Sequence, residues 1–142
     1  MTVAPDRLLP AIDRDSAPFW EGLRAGEIRV QHCDGCGAIR WPARAICNRC
    51  RSFAAHWVPL AGTGRIKSWV RTHQVFSRTL QDDVPYTTIL VALDEQDDIQ
   101  MIGRFSNPGI QPVEGMRVRA EFEPATPDIT LLLWAPLPGG QS

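Results

Sequence analysis

The stretch HCDGCGAIRWPARAICNRC, residues 32–50, carries all 4 cysteines of the chain in two pairs, Cys33 with Cys36 and Cys47 with Cys50. Each pair has two residues between its thiols, and ten residues separate the pairs. Two intervening residues let one tight turn present both sulfurs, about 3.5–4 Å apart, to a single tetrahedral ion. Gly35 and Gly37 give the first turn the backbone freedom such a knuckle needs. The second turn holds no glycine, and Asn48 is the residue expected to take a positive φ there. Four thiolates leave no open coordination position, so the pattern predicts one structural Zn²⁺. A rubredoxin-type iron site uses the same spacing. Thiols at knuckle spacing favour metal over disulfides, and a thioredoxin-like redox motif would need a βαβ setting that is not visible here.

Outward from the cysteines, Glu27–His32 alternates around Ile28 and Val30 and reads as a strand entering the first knuckle. Ala38–Pro42 returns from it, with Trp41-Pro42 closing the hairpin. Such a ribbon of fewer than about 40 residues cannot bury enough surface alone, and the metal makes up the deficit. Upstream, Ser16 as N-cap and Pro18 in the first turn open a short helix that stops at Gly26. Phe19, Trp20 and Leu23 form its apolar face. About two turns are too few for propensity alone, so packing must hold it. The adjacent aromatics either cover the ribbon's core or anchor the helix to another subunit. Residues 1–15 read as a loosely held arm, and 16–60 as helix plus ribbon.

Downstream the pattern becomes repeated strands: 65–76, 86–93, 99–105, 116–122 and 129–134. The second, YTTILVAL, is apolar enough to be buried on both faces. In the fourth, Met116, Val118, Ala120 and Phe122 share one face, with Arg117, Arg119 and Glu121 on the other. Asp94–Asp98 reads as a solvated turn, Gly103 as a bulge or barrel corner, and Gly62 with Gly64 as the hinge between ribbon and barrel. A long first strand, a tight hairpin after the second and a wide connection over 106–115 match a five-stranded OB-fold barrel across 61–136, with 137–142 as tail. The expected class is mostly β: a short N-terminal helix, a rubredoxin-like zinc ribbon and an OB-fold.

A hydrophobic content of 44% over 142 residues is enough for a packed core. No apolar run is long enough to span a membrane. The opening residues lack a basic segment followed by an apolar core, so a cytoplasmic protein with reduced thiols is expected. A net charge of −1 argues against a long polyanion as ligand.

In the order of its parts the chain resembles the DUF35 family, which joins an N-terminal helix and rubredoxin-like ribbon to an OB-fold. The resemblance runs over about residues 17–134. It rests on Phe19-Trp20-Glu21-Gly22-Leu23 with Gly26-Glu27-Ile28, on the two C-x-x-C pairs and on Arg40-Trp41-Pro42. It continues with the 62–69 entry to the barrel and Val84-Pro85-Tyr86. Where the family often has Gly-Ser after the fourth cysteine, Arg51-Ser52 stands here, which puts the local turn in question but not the metal. The resemblance implies an accessory subunit of a thiolase-superfamily enzyme: a thiolase, an acyltransferase or an aldolase of sterol side-chain degradation. Helix and ribbon would dock on that partner, the barrel would serve acyl-CoA handling, and the partner would supply the catalytic cysteine or its substitute. Phe19, Trp20, Leu23 and Trp41 are then the candidate docking residues.

With every thiol committed to metal, no cysteine nucleophile remains. His32 abuts the first ligand and reads as a supporting or surface residue, and His56 lies in the ribbon-to-barrel linker. No nucleophile-elbow motif supports an independent hydrolase or transferase. Residues 29–51 hold five arginines against one aspartate. These either offset the charge near −2 of a four-thiolate zinc site or, at Arg40, Arg44, Arg49 and Arg51, face the phosphates of coenzyme A or an acidic partner. Trp69, Arg71 and His73 share one face of the first barrel strand. Aromatic stacking beside cations is also how OB-folds hold bases, so a single-strand nucleic-acid module is the alternative function.

Overall fold

The computed structural model describes residues 9–74 and 84–137. In chain order these form α1 (Ala17–Arg24), β1 (Ile28–Cys33), β2 (Ile39–Arg40), β3 (Ala55–Leu60), β4 (Thr63–Thr72), β5 (Tyr86–Leu93), β6 (Gln100–Phe105), β7 (Arg117–Pro124) and β8 (Thr130–Pro136). Helix α1 turns its i, i+4 pair, Phe19 and Leu23, into the interior. The Ser16 side chain makes no capping bond to the helix. It receives the backbone N–H of Asp13, while the Asp13 carboxylate accepts from Ser16 N at 2.8 Å. At the other end, Gly26 N–H bonds to Leu23 O and Glu27 N–H to Gly22 O, a Schellman closure.

The ribbon is a three-stranded sheet in the order β2-β1-β3. Strand β3 corrects the sequence reading, which took this segment as linker. It pairs antiparallel with β1 from Ile28↔Leu60 to Cys33↔Ala55. Pro59 disguised it, because proline interrupts a strand pattern; an edge position, which β3 occupies, is where a ladder tolerates proline.

The five remaining strands close a barrel in the order β4-β5-β6-β8-β7. β6 and β8 run parallel, and the other pairs are antiparallel. This is the OB-fold arrangement expected from the sequence. β5 alternates buried and half-buried residues as far as Leu90 and is fully buried only at 91–93. Gly103 marks no bulge. It lies in regular register opposite Ile89, and a Cβ there would stand 2.7 Å from Cδ1 of Trp134, so glycine makes room for the indole. The bulge of this barrel falls instead in β4, between Ile66 and Ser68.

One hydrophobic cluster runs through both parts. Phe19, Leu23, Ile28 and Val30 of helix and ribbon join Ile66, Ile89, Val91, Met101, Val118 and Trp134 of the barrel. Each such buried side chain contributes about 1.5–3 kcal/mol over leaving it exposed. Polar contacts at the seam come from the 94–98 loop, which is far from a merely solvated turn. Gln96 accepts Ile39 N–H at 3.2 Å and donates to Ile39 O at 3.0 Å, so it extends the ladder of β2. Glu95 accepts the N–H of Ala61 at 2.7 Å, and Asp98 pairs with Arg49 at 2.9 Å. Asp94 receives Thr63 Oγ1 at 2.6 Å and both arms of Arg117, the second at 2.6 Å. The Arg117 guanidinium, backed by Thr63, pulls the Asp94 carboxyl down to about 2.

Candidate metal centre and docking surfaces

Strand β1 delivers Cys33 to the end of the ribbon, and two turns of like construction complete the set. In the first, Gly37 N–H bonds to Cys33 O at 3.0 Å; in the second, Arg51 N–H bonds to Cys47 O at 2.9 Å. Gly37 and Arg51 therefore occupy equivalent positions, and both are left-handed, at φ 78° and 63°. The positive φ of the second knuckle thus sits on Arg51, one residue past the last cysteine, and not on Asn48. A glycine at that place would meet the same backbone requirement without strain.

The sulfurs of Cys33 and Cys50 are 3.4 Å apart, those of Cys36 and Cys47 3.7 Å, and all four thiols lie within 4.8 Å of one another. Tetrahedral zinc with bonds of about 2.3 Å spaces its sulfurs by about 3.8 Å, so small side-chain shifts admit the ion. Cys33 and Cys47 are buried, while Cys36 and Cys50 are exposed. Backbone N–H groups of Cys50 and Arg49 pull the Cys47 thiol down to about 6, and that of Cys36 lowers Cys33. The Ser52 N–H favours the Cys50 thiolate, but hydrogen bonding to Cys33 and burial outweigh it and push that thiol up to about 12. The thiols share protons that a dication displaces. One structural zinc ion fits this set, with no position left for substrate.

The other singled-out residues divide by place. Phe19 and Leu23 are interior, at 5% and 1% exposure, so neither is available at the surface of this fold. Phe19 instead packs its ring 4.2 Å from that of Trp41 and 5.2 Å from that of Trp20. Trp20 and Trp41 are half-buried and line an apolar cavity of about 500 Å³ shared with Met101, Ile102, Leu132 and Arg104. Of the arginines, Arg40 is buried, Arg49 is held by Asp98, and Arg44 and Arg51 are exposed. The structure therefore does not present the four as one surface patch. Trp69, Arg71 and His73 are exposed. From Lys67 to Arg71 every β4 residue is exposed, and β7 pairs with β4 only over Thr63–Arg65, so this half of the strand is held by β5 alone. The sequence reading carried this strand to residue 76; its last two positions lie outside the described residues.

Large apolar exposures that the sequence did not single out include Phe53 (75%) and Ile46 beside the second knuckle, and Ile102 (68%) at the mouth of the cavity. Their signal was faint, because isolated apolar residues are common on any surface. No described helix is long and apolar enough to cross a membrane.

A ribbon closed by four cysteines and joined to a five-stranded barrel defines a zinc-ribbon/OB-fold protein. Residues 20–55 match the family model of the ChsH2 rubredoxin-like zinc ribbon domain, and 57–123 that of the ChsH2 C-terminal OB-fold domain. The solved Ltp2-ChsH2(DUF35) aldolase contains a chain 30% identical, with a TM-score of 0.79, over 90% of this chain and 98% of that one. The chain belongs to the DUF35 family, with ribbon and barrel of the ChsH2 type. A Sulfolobus solfataricus DUF35 protein of unknown function, 14% identical over 87% of this chain and 86% of that one, shares the fold at a TM-score of 0.58. Among curated relatives, a Thermomonospora curvata protein named as probable enoyl-CoA hydratase alpha subunit is 30% identical over 89% of this chain and 39% of its own length. The Mycobacterium tuberculosis 3-oxo-4,17-pregnadiene-20-carboxyl-CoA hydratase alpha subunit is 33% identical over 93% of this chain and 41% of its own. This chain thus spans about two fifths of the length of either relative.

Proposed function

We propose that this chain is a non-catalytic subunit that docks on a thiolase-superfamily enzyme and assists it in handling an acyl-CoA substrate. The observation that carries the reading is the match to a chain of the Ltp2-ChsH2(DUF35) aldolase along nearly the whole of that chain. It favours carbon–carbon cleavage by the partner over thiolase or acyltransferase chemistry. The relative named for a pregnadiene carboxyl-CoA supports a steroid-like acyl group.

The chain's own chemistry is consistent with an accessory role. All four cysteines are gathered into one closed metal set, which withdraws them from nucleophilic work. Phe53 and Ile46 are the apolar contacts we assign to the partner, and Arg44 and Arg51 are free to meet the phosphates of coenzyme A. The cavity beneath α1, walled by Trp20 and Trp41, suits an apolar group of the substrate or partner.

The test is co-expression with the thiolase-like protein encoded nearest to this chain, followed by affinity capture and size exclusion. The expected result is a mixed complex, weakened by joint Phe53→Ala and Ile46→Ser substitution. A chain that elutes alone and instead shifts labelled single-stranded DNA or RNA in low salt would overturn the proposal in favour of a nucleic-acid module.

A further inference from the structure

Strand alternation places His32 on the face of β1 opposite Cys33, and Asp34 opens the turn that follows the strand. The pairing with β3, invisible in the sequence reading, sets His56 directly across from His32. Their rings lie 4.9 Å apart, and His56 Nδ1 meets Asp34 Oδ1 at 2.6 Å. One ligand atom from each of His32, Asp34 and His56 lies within 4.8 Å of the other two. An imidazole–carboxylate pair alone would account for His56 and Asp34, but not for His32. Its Nδ1 is buried and has no hydrogen-bond partner among the described residues. A buried nitrogen without a partner costs about 1–3 kcal/mol of desolvation unless something satisfies it.

We propose that His32, Asp34 and His56 form a second metal site, on the other face of the first knuckle from the zinc, which takes one divalent transition-metal ion. Two imidazoles and one carboxylate are a borderline-hard ligand set that suits Zn²⁺, Ni²⁺ or Cu²⁺ and not Ca²⁺ or Mg²⁺. Bonds of about 2.0–2.1 Å in tetrahedral array hold ligand atoms about 3.3 Å apart, so the ion pushes His56 and Asp34 from 2.6 Å to that spacing and displaces the proton between them. Both side chains are about half exposed and have the room to rotate. Three protein ligands leave a fourth position for water or an incoming side chain. In this the site differs from the closed four-cysteine set.

The test begins with protein shown by elemental analysis to hold one equivalent of zinc. Titration with Zn²⁺ in the calorimeter should reveal one further equivalent, bound more weakly than the first. In His56→Ala that second affinity should fall by about 10- to 100-fold or more, while the first equivalent stays bound. His56 is exposed, so this variant spares the core; the wild-type imidazole C–H resonances provide a readout that needs no variant. His32 and His56 should shift with the added zinc and His73 should not. Absence of a second equivalent up to millimolar zinc, its survival unchanged in His56→Ala, or a shift confined to His73 would each overturn the proposal.

Discussion

Arg51 sits in the left-handed region at φ 63°, in the place where the first knuckle has Gly37 at φ 78°. For a residue with a Cβ this conformation costs about 1–2 kcal/mol. Arg51→Gly removes that strain and returns about 0.5–1 kcal/mol to the unfolded chain as backbone freedom. The net gain is about 0.5–1 kcal/mol. Because the knuckle orders with its metal, the gain appears as zinc affinity, about 2- to 5-fold tighter. Gly37 supplies the mirror experiment: a Cβ there meets nothing within 4 Å, so Gly37→Ala feels the backbone penalty with no clash and should bind zinc more weakly by a similar factor. Arg51→Ala removes the guanidinium and keeps the strained φ, so it isolates any charge effect. Competition with a chromophoric chelator at fixed pH reads all three. If Arg51→Gly bound zinc no more tightly than wild type and Arg51→Ala bound it markedly more weakly, the guanidinium would be stabilising the thiolates. The strain argument would then be refuted.

Three further outcomes follow from the contacts. Chelation at neutral pH should unfold the ribbon while the barrel keeps its strand signal, and zinc loss should accelerate as pH falls, since every ligand thiol must be deprotonated to bind; far-ultraviolet dichroism with and without chelator checks this. The Asp94 carboxyl is pulled down from 3.8 to about 2, so its contribution is whole above about pH 5 and fades as pH falls towards 2; the gap in denaturant midpoint between wild type and Asp94→Asn should therefore close over that window. Gly103→Val drives a branched side chain into Trp134 and should cost about 2–4 kcal/mol in a urea titration, whereas the exposed neighbour Ile102→Val should stay within about 0.5 kcal/mol.

Much of the architecture was legible because the signals are local. The thiol spacing set the knuckles, and clean alternation in 116–122 set β7 with Met116 and Val118 inward. What stayed hidden depends on partners distant in sequence. Nothing around Ala55–Leu60 says that β1 waits alongside, and Pro59 speaks against a strand there, so the His32–Asp34–His56 juxtaposition was lost with it. The 94–98 run looks like solvated charge because its partners, Ala61, Thr63, Arg117, Arg49 and the backbone of Ile39, are scattered over ribbon and barrel. Arginine at position 40 reads as surface, yet Arg40 is buried and, among the described residues, only its Nε is bonded, to Gln31 at 3.2 Å. Phe19 and Leu23 show the opposite limit: an apolar helix face looks the same whether it meets its own core or another subunit.

Acyl-CoA turnover by the thiolase-like partner, measured alone, with this chain added in equimolar amount, and for this chain alone, tests the account's central claim most directly. The account predicts no turnover by this chain alone and a rate for the partner that rises with the chain and saturates once the two are equimolar. Turnover by this chain in isolation, or a partner indifferent to its presence, would contradict it.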